Sequence, residues 1–165
     1  MSMKLTVDKK VWNNLKKSFA KAEKVESHLG WFEEHQYDSK NANLQMAQVA
    51  QWQEEGTQGG QGNGSGIPPR PFMREGLKAV FLGGENKESF KRIVTEVAMG
   101  RDTFKALHKE GKSFEKTLKN VMIDWDTPGH APYTIAEKGF DDPLHETGTL
   151  IDSVTATVDR RGTYC

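Results

Sequence analysis

Two groups of residues in this chain have the side-chain types that hold metals. Asp124, Asp126 and His130 form one, and Asp141, Asp142, His145 and Glu146 form the other. Mixed imidazole and carboxylate sets suit zinc or manganese, and the chemistry would be that of a small metal-dependent hydrolase. Neither group follows a ligand spacing such as H-E-x-x-H, and Asp beside Pro ordinarily builds turns. The run Gly62-Asn63-Gly64-Ser65-Gly66 has the composition of a phosphate-cradling loop. That motif needs a strand before it and a helix N-terminus after it, usually with Lys-Ser/Thr, whereas prolines follow here. Ser and His both occur, but no G-x-S-x-G elbow does, and Cys165 has no helical or basic setting that would favour its thiolate. The residues therefore predict a protein that is not an enzyme, with no metal and no cofactor. A basic cluster, the lysines between Lys9 and Lys24 with Arg160 and Arg161, could contact DNA phosphates, although a solvated helix face is the commoner cause of such a run.

The elements that would carry these residues can be read from spacing. Asp8 can cap a helix in which Trp12, Leu15, Phe19 and Ala22 share a stripe and the lysines lie elsewhere. Ser27 to Phe32, with Leu29, Trp31 and Phe32 around Gly30, predicts a short strand. Asn43 to Glu55 predicts a second helix with a Gln-rich polar face. Gly56 to Gly66 holds six glycines among eleven residues and no apolar residue. No burial could offset the entropy of ordering it, so a long flexible loop is expected. Pro68, Pro69 and Pro71 then predict a stiff extended arm over 67–74, presenting Ile67 and Phe72 as anchors and Arg70 and Arg74 as reaching cations. Phe90, Ile93, Val94, Val97 and Ala98 repeat at helical spacing, a pattern that Phe104 and Leu107 extend. Ser113 can open a further helix containing Phe114, Leu118, Val121, Met122 and Trp125, which must stop before Pro128-Gly129. The tail predicts a turn at Asp141 to Pro143, a helical turn at Thr149 to Asp152, and a strand in which Val154, Ala156 and Val158 alternate with threonines. Trp12, Trp31, Trp52 and Trp125 are assigned to the core, and one or two exposed indoles among them would mark a protein interface instead.

The 165 residues fit one domain, 1–165, which can bury roughly two thirds of its unfolded surface. The expected class is α+β: several amphipathic helices packed on a small, mainly antiparallel sheet, with the long Gly-rich loop. Lys plus Arg and Asp plus Glu each number 23, so no global pull toward nucleic acid or anionic membrane is expected. A mean hydropathy of -0.72 with 35% hydrophobic residues implies a modest core and much polar surface. No apolar run approaches the roughly 20 residues of a membrane span, and Met1 to Lys10 lack the apolar block of a secretory signal. The expectation is a protein without a membrane partner that stays in the compartment where it is made. Its one cysteine, Cys165, leaves no intrachain disulfide and is expected to be a free thiol.

Four segments carry a resemblance. They are Glu54-Glu55-Gly56-Thr57, the run from Ile67 to Phe72, the run from Ala131 to Gly139, and the run from Pro143 to Val154. In that order they resemble the E-x-G-T, I-P-x-R-P-F, P-x-T-x-x-x-K-G and P-L-x-x-T-G-x-L-x-x-S-[IV] pattern of the neck or tail-completion (head-tail joining) proteins of long-tailed bacteriophages, of the minor tail protein Z type. The Gly-rich insertion between the first two segments departs from that pattern, as does Glu55, which stands where an aromatic or aliphatic residue is common. The resemblance implies a structural virion protein at the head-tail junction, assembled in the host bacterial cytoplasm. It would form a cyclic ring of its own copies, a hexamer first and a dodecamer second. The ring would complete the tail and meet the head-tail connector, the tail terminator and the tail tube, with genomic DNA at most passing through its lumen. Alternatives are a tail terminator capping the tube and a DNA-binding accessory protein. Inter-subunit or neck contacts are expected from Ile67, Pro68, Arg70, Pro71, Phe72, Arg74, Pro143, Leu144, Thr147, Gly148, Leu150 and Val154. On that expectation, charge reversal at Arg70 or truncation of Phe72 leaves the monomer folded and prevents assembly.

Overall fold

A computed structural model describes residues 8–38, 43–59, 66–145 and 147–161. The centre of the Gly-rich loop, Glu146 and Cys165 lie outside the described residues, and so do the expectations placed on them. Asp8 caps the first helix, α1 (Lys9–Ala22), its Oδ1 accepting from the amides of Lys10 at 2.7 Å and Val11 at 3.3 Å. The expected stripe does not reach the core, because α1 only leans on a later helix and buries no residue, leaving Trp12 47% and Phe19 41% exposed. β1 (Val25–Gly30) follows and pairs antiparallel with the final strand, running from Val25 opposite Arg160 to Gly30 opposite Thr155. It ends before Trp31, whose indole Nε1 donates to the Leu150 carbonyl at 2.8 Å.

Next come α2 (Met46–Glu55), α3 (Phe72–Leu82) and α4 (Gly84–Ala98). The Pro-rich arm is thus shorter than the sequence implies, since a helix begins at Phe72. Its first turn is capped from outside: the Glu54 carboxylate accepts from the amides of Met73 at 2.7 Å and Arg74 at 3.2 Å. α3 buries Phe72, Gly76 and Val80, and Gly76 is required there because a Cβ would lie 2.5 Å from Leu118 Cδ1.

The longest helix, α5 (Thr103–Ile123), is the axis of the fold and touches β1, α3, α4 and both elements that end the chain. Its start corrects the sequence reading. α4 stops at Ala98, Gly100 turns the chain at φ 71°, and Asp102 caps α5 by accepting from the Phe104 amide at 3.0 Å. Ser113 is therefore mid-helix. α6 (Pro132–Lys138), α7 (Thr149–Asp152) and β2 (Thr155–Arg160) complete the chain. Ala156 and Val158 are buried as the alternation requires. The core joins Phe72, Met122 and Val154, all fully buried, to Met46, Ala50, Leu118, Leu144, Leu150 and Ile151. Trp31 meets Phe72 edge-on with ring centroids 6.1 Å apart, and Trp125 packs against the same cluster. Seven helices and a two-stranded antiparallel sheet among the described residues make the fold α+β.

Candidate functional site

Arg70 sits at the junction of three chain segments. Its side chain is only 2% exposed, so its donors must be met by protein. Nε donates to the Pro128 carbonyl at 3.0 Å, Nη2 to the Gly129 carbonyl at 3.1 Å, and Nη1 to Gln53 Oε1. The Arg70 amide also donates to the Gln53 carbonyl at 2.7 Å. Burial lowers the guanidinium pKa from its ordinary value, and the Asp141 charge acts against that shift. The planar fork of Arg suits this work, since one side chain spans α2 and the turn after α5.

Beside this clamp, Thr57 and Ile67 latch in both directions. The Thr57 amide donates to the Ile67 carbonyl at 2.9 Å, and the Ile67 amide to Thr57 Oγ1 at 3.0 Å. The two ends of the Gly-rich stretch therefore meet, and the first two signature segments stay adjacent despite the insertion between them. Gly56 makes the latch possible: its φ is 75°, and a Cβ there would lie 2.7 Å from the Ile67 carbonyl oxygen.

The third segment is a helix, α6, with Pro132 in its first turn and Gly139 closing it in the left-handed conformation. It brings Lys138 back to His130, whose Nε2 lies 3.3 Å from Lys138 Nζ and 3.0 Å from the Asp142 carbonyl. The His130 amide donates to Asp141 Oδ1 at 2.7 Å. The fourth segment buries Pro143, Leu144, Gly148, Leu150 and Val154. Its surface carries Thr147, whose Oγ1 lies 2.6 Å from Thr149 Oγ1. Phe72 of the second segment packs in one core cluster with Leu144, Leu150 and Val154 of the fourth, and Lys138, Leu144 and Thr149 of the last two segments line an open cleft of about 420 Å³ with Tyr37, Gln53 and His130.

The candidate metal groups do not assemble as the sequence grouped them. His130 engages Asp141 and Asp142, and His145 Nδ1 lies 3.6 Å from Asp142 Oδ2. Among the described residues, no three His, Cys, Asp or Glu side chains are placed to hold a metal ion.

The expected contact residues divide sharply. Pro68, Arg74 and Thr147 are exposed, and Ile67 and Pro71 are half-buried. Arg70, Phe72, Pro143, Leu144, Gly148, Leu150 and Val154 are buried within the chain itself. Their side chains cannot serve as adhesive groups without unfolding, because each already packs or hydrogen-bonds internally. With Arg70 and Phe72 buried, altering either is expected to destabilise the monomer. Sequence reading missed Gln53, Glu54, Pro128 and Gly129 as partners of the arm. Gln53 belonged to a face read as solvated, and Pro128-Gly129 was read only as a helix stop. Compared with family models, with curated proteins and with solved structures, the chain finds no match.

Proposed function

We propose that this chain is a structural subunit of the neck of a long-tailed bacteriophage, forming a ring that completes the tail and joins it to the DNA-filled capsid. One observation carries the reading. The first segment latches to the second through Thr57 and Ile67, the second shares the core with the fourth through Phe72, and the third and fourth line one cleft. A linked node of this kind is expected when a sequence pattern encodes one surface shape. Thr147 is exposed at the cleft, and Pro68 and Arg74 are exposed close to Arg70 along the chain, all three available to a neighbouring copy or to the connector, terminator and tube proteins. A ring needs heterologous contacts, in which one patch meets a different patch on the next copy.

Electron microscopy of particles made by a phage whose copy of this gene is disrupted tests the reading. DNA-filled heads beside separate tails of normal length are expected. Tails of abnormal length would instead assign the chain to a terminator, and intact infectious virions would overturn both roles.

A further inference from the structure

The helix α1 presents, among the described residues, a partly exposed apolar face. Lys9, Trp12, Lys16 and Phe19 fall on one side at helical spacing, Trp12 and Phe19 are 47% and 41% exposed, and Lys16 Nζ stands 5.2 Å from the Trp12 ring centroid. A 14-residue helix is marginal alone, and α1 buries no residue against the rest of the fold. The stretch from Lys9 to Lys24, α1 and the two residues after it, holds six lysines against the single carboxylate of Glu23. Among the described residues, Lys9 and Lys16 form no salt bridge.

Charge of the opposite sign collects at the far end of the molecule. The described residues from Asp124 to Asp152 hold six carboxylates against Lys138 alone, although the whole chain is neutral. Asp124 and Asp126 are exposed there, next along the chain to Ile123 at 55% exposure, and enter no salt bridge among the described residues. Helix α5 sets the separation. α1 packs near Gly100, just before α5 begins, and the acidic stretch starts where α5 ends, about 31 Å away at 1.5 Å per residue.

We infer that the Lys9–Phe19 face of α1 docks on the acidic surface at Ile123, Asp124 and Asp126 of a second copy of this chain. Each end carries exposed apolar side chains beside charges that are predominantly of one sign, and the two signs are complementary, so like ends repel and unlike ends attract. Because the patches differ and sit at opposite ends, the contact is head-to-tail and repeats from copy to copy. The inference rests on the ring reading above and supplies its inter-subunit contact.

Two charge-reversed full-length chains test it by sedimentation velocity, with circular dichroism to confirm that each is folded. Lys9→Glu with Lys16→Glu, and Asp124→Lys with Asp126→Lys, should each remain monomeric where the wild-type chain assembles. An equimolar mixture of the two should regain assembly, since each reversed surface then meets its complement. Carbodiimide cross-linking of mixed ¹⁴N and ¹⁵N wild-type chains should join Lys9 or Lys16 of one copy to Asp124 or Asp126 of another. Assembly of either variant alone at wild-type strength would overturn these surfaces while leaving the ring reading intact. A wild-type chain that stays monomeric at all concentrations and salt conditions would overturn both. Short duplex DNA bound by the wild type and lost in the lysine variant, with assembly unchanged, would assign those lysines to nucleic acid instead.

Discussion

Replacing Arg70 by Met keeps most of the side-chain volume and removes every donor that ties α2 to the turn at Pro128 and Gly129. Three acceptors lose a charged partner: Gln53 Oε1 and the Pro128 and Gly129 carbonyl oxygens. A hydrogen bond to a charged group contributes about 1.5–3 kcal/mol. The full sum is not expected, because Pro128 and Gly129 are only half-buried and water can reach them, and because the buried guanidinium no longer has to be desolvated. A net loss of about 3–4 kcal/mol follows, near the range for removing one partner from a buried charge arrangement. Against a total stability of roughly 5–15 kcal/mol, that is a large fraction. For a chain of this size it corresponds to a fall in Tm of roughly 6–16 °C. Urea unfolding should show a lower midpoint with an unchanged slope, and Arg70→Lys should recover less than half of the loss, since one ammonium cannot span both segments in a plane. A loss below about 1 kcal/mol, or full rescue by Lys, would refute the clamp.

Phe72→Ala should destabilise by about 3–5 kcal/mol, measured by urea unfolding of the monomer, because the ring is fully buried against Trp31 and the core; an undisturbed monomer would return Phe72 to the list of contact residues. Acid should weaken the fold through Glu110 and Glu115. Arg92 is the main cause holding Glu110 below its ordinary value of 4.5. Burial pushes Glu115 up, but donors from Lys112, Ala156 and Lys119 outweigh it, so its value also lies below 4.5. For both groups the folded pKa is depressed, so their stabilisation is complete above about pH 4.5 and is lost as pH falls through the lowered values. Glu115→Gln should therefore reduce the slope of unfolding free energy against pH in that acid window, and an unchanged slope would exclude Glu115 as a contributor.

Local signals were legible wherever one residue decides the local geometry. Asp8 named the start of α1, the alternation of Val154, Ala156 and Val158 named β2, and the Thr149–Asp152 turn was visible from its flanks. Signals failed where a distant side chain supplied what the local sequence lacks. α3 starts directly after prolines because Glu54 reaches across from α2 to meet its first amides, and nothing near Phe72 advertises that. The boundary between α4 and α5 was hidden by continuous apolar periodicity, which Gly100 at φ 71° and Asp102 interrupt without disturbing the repeat. Periodicity also assigned Trp12 and Phe19 to the core, since spacing reports that a helix has an apolar face but not what covers it.

The split between buried and exposed residues bears on what the signature means. Arg70, Phe72, Pro143, Leu144, Gly148, Leu150 and Val154 of the pattern are spent inside the chain, whereas its Pro68 and Thr147 are exposed. A pattern built from such residues records what is needed to close the node, and it leaves the identity of the neighbour unspecified. Partner choice then rests on exposed side chains, most of which the pattern does not fix. Lys9 and Lys16 at one end and Asp124 and Asp126 at the other satisfy that condition, being exposed and opposite in sign. Substitutions at the node should therefore act on stability before assembly, and substitutions at the two ends on assembly alone. A stable Arg70 variant that fails to assemble, or an unstable Lys9→Glu/Lys16→Glu variant, would break that division.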